Sequence, residues 1–92
     1  MMISKNLTIL NKLGLHARAA AKLVALSNNF KSEIILVKDN KSADARSIMK
    51  LLMLSASKGS VLEVNITGKD QEKAMESIEK LFLNGFDEGL WV

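Results

Sequence analysis

Between Val61 and Phe82 the apolar residues change their spacing from every second position to the helical period of about 3.6, and few architectures accommodate that switch. Leu62, Val64 and Ile66 alternate with Glu63, Asn65 and Thr67, which is the pattern of a strand buried on one face. From Asp70 onward, Ala74, Met75, Ile78, Leu81 and Phe82 share one face of a helix, while Glu72, Lys73, Glu76, Glu79 and Lys80 lie elsewhere. The helix therefore covers the sheet to which the strand belongs. Asp70 is its expected cap, Gly85 its expected terminator, and Glu76 with Lys80 an expected i,i+4 ion pair.

The remainder of the chain parses in the same two periods. Ile3 to Ile9 alternates, with Ile3, Leu7 and Ile9 against Ser4, Asn6 and Thr8. Gly14 turns the chain into a first helix, where Ala20, Leu23, Val24 and Ser27 form a stripe that Phe30 extends past a stop at Asn28-Asn29. Ser32 to Lys38 holds the run Ile34-Ile35-Leu36-Val37, and Asp39-Asn40 suits a tight hairpin into a short polar strand from Lys41 to Ala45. Ser47 to Ser55 is a second, short helix, closed by Lys58-Gly59. The predicted order is β-α-β-β-α-β-α in a single domain spanning residues 1–92, without linker, repeat or proline.

Composition limits the chemistry. An apolar content of 48% supports one core with little to spare at this length of 92 residues. Without cysteine there is neither a disulfide framework nor a thiolate metal site, and no metal or cofactor is predicted. No apolar run reaches membrane-spanning length and Met1 to Asn6 lacks a signal peptide's apolar core, so a cytoplasmic protein is expected; a monomer is the separate expectation for its assembly. The net charge of +3 is modest, and three Phe, one Trp and no Tyr make no platform for stacking bases, which argues against nucleic acid as a partner.

Two places stand out from this frame. The first is His16, the only histidine, at the start of the alanine-rich helical run within Asn11-Lys12-Leu13-Gly14-Leu15-His16-Ala17-Arg18-Ala19-Ala20-Ala21-Lys22-Leu23. A helix N-terminus leaves backbone N–H groups unpaired and carries the positive end of the macrodipole, so it favours anions, phosphate above all. The same dipole disfavours a charged ring and leaves a nitrogen lone pair free as a nucleophile. Arg18 and the backbone N–H groups of Ala17 and Arg18 are the anion stabilisers in that scheme. Position alone leaves this open against an ordinary histidine cap.

The second place is the short helix. Ser47 is its cap, a role that stabilises by about 1 kcal/mol. After it, Ile48, Met49, Leu51, Leu52, Met53 and Leu54 leave only Lys50 polar, more apolar surface than two turns can bury. The excess points to a docking patch, with a strongly apolar core helix as the alternative.

The His16 segment strongly resembles the active-site segment of the HPr family, the histidine phosphocarriers of the bacterial phosphoenolpyruvate-dependent phosphotransferase system, and the likeness extends through the Ser47 helix, the Lys58-Gly59 turn and Gly85-Phe86-Asp87-Glu88. The resemblance implies an α+β open-faced β-sandwich, a four-stranded antiparallel sheet with three helices on one face. It implies a phosphoryl carrier, itself no enzyme, whose His16 accepts the group through Nδ1 from enzyme I and passes it to EIIA-type acceptors, with Arg18 neutralising the phosphate. The docking helix would then meet these partners through Ile48, Met49 and Met53, with Lys50 and Lys22 at its charged rim. Arg46-Ser47-Ile48-Met49 aligns with the site that HPr kinase/phosphorylase modifies in many bacteria, which makes Ser47 a regulatory candidate. One departure is Ala19, where most of the family has proline, so the site gives up some rigidity and gains an N–H. The stretch Leu51 to Gly59 and the segment Gly85-Phe86-Asp87-Glu88 resemble proteobacterial members, including the nitrogen-related paralogue NPr, which serves a regulatory relay instead of sugar uptake. A ferredoxin-like RNA- or metal-binding module and an interaction module without phosphotransfer are the competing classes; replacing His16 separates them from a carrier.

Overall fold

The structure is a computed structural model and describes residues 1–88; the last four positions of the expected domain lie outside the described residues. Strands β1 (Ile3–Thr8), β2 (Glu33–Lys38), β3 (Lys41–Asp44) and β4 (Val61–Thr67) form one sheet in the order β1-β4-β2-β3, with every neighbouring pair antiparallel. Helices α1 (Ala17–Ser27), α2 (Ile48–Met53) and α3 (Gln71–Leu83) alternate with them in the order expected, and a 3-10 turn (Gly85–Asp87) follows.

Register explains why one face is covered. Leu7 lies opposite Leu62, Ile66 opposite Ile34 and Val64 opposite Leu36, so a row of apolar side chains crosses the sheet beneath the helices. Ile34, Leu36, Leu62, Val64 and Ile66 are fully buried there, each stabilising by about 1.5–3 kcal/mol relative to exposure. Lys5 sits opposite Val64 on that same face of an edge strand, and its amine reaches out to Glu79 of α3 at 2.8 Å. The expected Glu76–Lys80 pair does not form; the acidic side chain of α3 that finds a lysine is Glu79. At the hairpin, Asp39 (φ 50°) and Asn40 (φ 67°) both adopt the left-handed conformation that a two-residue connection demands.

The helical stripes match their pattern, with Ala20, Leu23 and Ser27 of α1 and Ala74, Met75, Ile78, Leu81 and Phe82 of α3 buried. Asp70 departs from expectation. Its carboxylate makes no bond to the first turn of α3 and instead accepts from the backbone N–H groups of Lys31 (2.9 Å) and Ser32 (3.0 Å) and from the Ser32 hydroxyl. The Ser32 hydroxyl, then the Lys31 N–H, hold this carboxyl below the ordinary carboxylate range. The acidic residue thus pins the loop between α1 and β2, while Gln71 accepts from Gly68 N–H at 3.1 Å. Arg46 secures the same loop from the other side by donating to the carbonyls of Ser27 (2.9 Å), Phe30 (2.7 Å) and Ser32 (3.0 Å), which places the start of α2 beside the end of α1.

Candidate functional site

The loop from Asn11 to His16 is shaped by one glycine. Gly14 has φ +70°, and a Cβ there would stand 2.6 Å from the Ala56 carbonyl oxygen and 2.9 Å from Ser57 Cα. The loop can press this closely onto the segment after α2 only without a side chain, and Leu15 N–H then donates to that same Ala56 carbonyl at 2.8 Å. His16 follows in extended conformation as the cap of α1; its carbonyl accepts from Ala20 N–H at 2.8 Å.

The two ring nitrogens of His16 meet different partners. Nδ1 accepts from the backbone N–H of Arg18 at 3.3 Å, at the mouth of the helix. Nε2 is paired with the carboxylate of Glu88, at the far end of the described chain. Glu88 is held in turn by Asn11, whose Nδ2 donates both to its carboxylate (2.9 Å) and to the Gly14 carbonyl (2.8 Å). A carboxylate only accepts, so the proton belongs on Nε2 and the lone pair on Nδ1. Burial pushes the Glu88 carboxyl up, but the Asn11 amide, His16 and Arg18 outweigh it and hold it below its ordinary value.

Phe86 brings Glu88 to this place. It is fully buried, its ring 4.9 Å from that of Phe82, although its φ of 53° is uncommon for a bulky residue. A cavity of about 590 Å³ opens over the histidine, lined by Leu13, His16, Arg18, Lys22, Asp87 and Glu88. Ala17 and Arg18 are exposed beside it, and Lys22 lies 3.6 Å from Asp87. Lys22 is thus gathered to the histidine, while Lys50 lines a separate depression with Met53 and Leu54. Ala19 stands in the first turn with its side chain fully buried. No group of three or more acidic or histidine side chains that could hold a metal occurs among the described residues.

Helix α2 divides as its composition suggests. Leu51 and Leu54 are buried, whereas Ile48, Met49 and Met53 are exposed, Met49 by 71%. Ser47 caps it by accepting from Lys50 N–H at 3.3 Å. A shallow depression lined by Leu13, Leu15, His16, Ser55, Ala56 and Ser57 runs between the histidine and the end of α2, so the two features share one surface. Leu13, exposed by 67%, belongs to that surface and was not singled out by the sequence reasoning, nor were Asn11 and Glu88 as partners of the ring. Leu13 carried one available signal, a large apolar residue in a turn.

A family model described as the PTS HPr component phosphorylation site matches residues 3–84. Phosphocarrier protein HPr of Cupriavidus necator is 43% identical over 88 residues, 96% of this chain and 99% of that protein. Phosphocarrier protein NPr of Escherichia coli K12 is also 43% identical, over 89 residues, with 96% and 99% covered. Among solved structures, HPr-C-His from Thermoanaerobacter tengcongensis superposes with a TM-score of 0.91 at 39% identity, covering 96% of this chain and 99% of its own. No helix among the described residues is long and apolar enough to cross a membrane.

Proposed function

We propose, for a chain that belongs to the HPr family of phosphocarriers of the phosphotransferase system, that it carries a phosphoryl group on Nδ1 of His16, accepted from phospho-enzyme I and delivered to EIIA-type acceptors. The observation that supports this most is the pairing of the two ring nitrogens, with Nε2 facing Glu88 and Nδ1 facing the mouth of α1. The lone pair of Nδ1 attacks phosphorus in line while the bond to the donor's histidine breaks and its electron pair returns to that nitrogen. Arg18 and the N–H groups of Ala17 and Arg18 take up charge spread over the phosphoryl oxygens. The members of this family are carriers and not enzymes, so the protein's own contribution is position and charge.

The exposed set of Ile48, Met49 and Met53, with Lys50 and Lys22 at its edge, is the partner-binding surface in this reading. Ser47 is a regulatory site for an HPr kinase/phosphorylase: its hydroxyl caps α2, and a phosphate there would add about two negative charges to the docking surface. The protein acts as a single cytoplasmic HPr domain over residues 1–92 and as a monomer. A nitrogen-related relay is the second reading, since the chain is as similar to an NPr as to an HPr, at 43% identity each. Incubation with enzyme I, Mg²⁺ and phosphoenolpyruvate should add one acid-labile phosphoryl group at His16, and His16→Ala should abolish it without unfolding the chain. Labelling that survives in that variant, or an acid-stable ester, would overturn the assignment.

A further inference from the structure

The contact between His16 and Glu88 does more than close the site, because it is itself supported from beneath. Asn11 is fully buried, and both hydrogens of its amide are spent, one on the Gly14 carbonyl at 2.8 Å and one on the Glu88 carboxylate at 2.9 Å. Nothing in the capping of a helix requires such a residue. Its effect is to fix the carboxylate to the turn that carries the histidine, leaving the other carboxylate oxygen for Nε2. The turn beyond α3 spends two left-handed residues, Phe86 and Asp87, to bring Glu88 there.

We infer that Asn11 and Glu88 are positioning residues for phosphoryl transfer, a relay that keeps a proton on Nε2 of His16 before, during and after the reaction and so presents Nδ1 as the one nucleophilic nitrogen. The inference rests on the carrier reading. When Nδ1 forms its bond to phosphorus and the donor nitrogen recovers its electron pair, no proton leaves the ring, which becomes a cationic phosphoimidazole. Glu88 opposes that positive charge directly. The leaving group in the return step is then a neutral imidazole, which departs more readily than an imidazolate. The other charges facing the ring and its cavity are Arg18 and Lys22 from α1 and Asp87 from the turn; the first two serve the phosphate, and Asp87 lies 3.6 Å from Lys22. Glu88 is therefore the charged partner assigned to Nε2.

Nitrogen-15 NMR of the imidazole, at a pH where the ring is neutral, tests the relay independently of turnover. The wild type should show a protonated Nε2 and an unprotonated Nδ1 as a single tautomer. Glu88→Ala should give a mixture of tautomers and slow phosphorylation by enzyme I by about tenfold, the lower end of what losing a histidine's orienting partner costs in metal sites. Glu88→Gln keeps an acceptor for Nε2–H but not the charge, so it should retain the single tautomer while transfer remains slowed. Asn11→Ala should loosen the tautomer preference in the same sense as Glu88→Ala. A wild-type ring that is already a mixture, or a Glu88→Ala ring unchanged in tautomer and rate while the wild type is phosphorylated, would overturn the relay. A wild type that takes up no phosphate from enzyme I would instead overturn the carrier reading, and the transfer role of the relay with it.

Discussion

Replacing Gly14 by alanine tests whether the active loop is built by backbone contact or merely by its side chains. Two penalties add at this position. An L-residue held at φ +70° costs about 1–2 kcal/mol relative to glycine, and the new methyl group would sit 2.6 Å from the Ala56 oxygen and 2.9 Å from Ser57 Cα. Both neighbours are backbone, which cannot rotate away, so an overpacking cost of about 1–3 kcal/mol follows. The sum of about 2–5 kcal/mol is a large part of the roughly 5–15 kcal/mol that holds a domain of this size together. Urea denaturation followed by circular dichroism should show an earlier midpoint with an unchanged slope. Heat should unfold the variant at least about 8 °C earlier, given about 4–8 °C per kcal/mol for small domains. Phosphorylation per folded molecule should fall as well, because relief of the clash displaces the loop and with it the Leu15 to Ala56 hydrogen bond that seats His16. A loss of stability below about 1 kcal/mol would refute the reasoning, since one unavoidable backbone penalty already reaches that figure.

Arg18→Ala should slow phosphorylation by at least about tenfold, roughly 1.4 kcal/mol of transition-state stabilisation, with little change in melting temperature, as stopped-quench labelling and calorimetry would show. Met49→Glu should weaken binding to enzyme I in a titration while leaving the circular dichroism spectrum unchanged, because Met49 is 71% exposed. Ser47→Ala should lower stability by about 1 kcal/mol through loss of the cap and leave phosphotransfer near normal. The Asp70 carboxyl is held low by Ser32 and Lys31, so its contribution is present above the unfolded-state value and is lost as pH falls through the folded one. The stability gap between wild type and Asp70→Asn should accordingly be constant near neutrality and close as pH drops below about 4 in acid-denaturation curves.

The strands and helices were legible because burial has a period. Leu62, Val64 and Ile66 alternate, and α3 carries its stripe, since the contacts responsible recur along one element. Ser47 as a cap and the exposed Met49 and Met53 were legible for a related reason: each is a local excess, of hydrogen-bonding capacity or of apolar surface, that a short helix cannot hide. Lys5 shows the limit, for it occupies an inward register position that its charge disguises until α3 brings Glu79 within 2.8 Å. Asp70 likewise sits where caps sit, and only the approach of Ser32, 38 positions away, draws its carboxylate elsewhere. The same holds for Glu88 and Asn11 at the histidine: one carboxylate and one amide give no periodic signal, and their partnership exists only once the chain has folded. A motif drew attention to His16 and Arg18; their polar surroundings gave no such signal.

The partner that touches the imidazole is 72 positions away along the chain. A contact of that span depends on the sheet, since β1 and β4 must pair before the two ends of the loop are brought near, and the entropy of that closure is met before the contact can repay it. The pairings of the sheet and the packing of α1 do not themselves orient the imidazole, which needs Glu88 in place as well. That falls to the docking of Phe86 on Phe82, which carries the turn bearing Glu88. Transfer competence in this protein thus doubles as a check on its own folding: a molecule whose last turn has come undone keeps its fold by most spectroscopic measures yet hands its partners an unaligned ring.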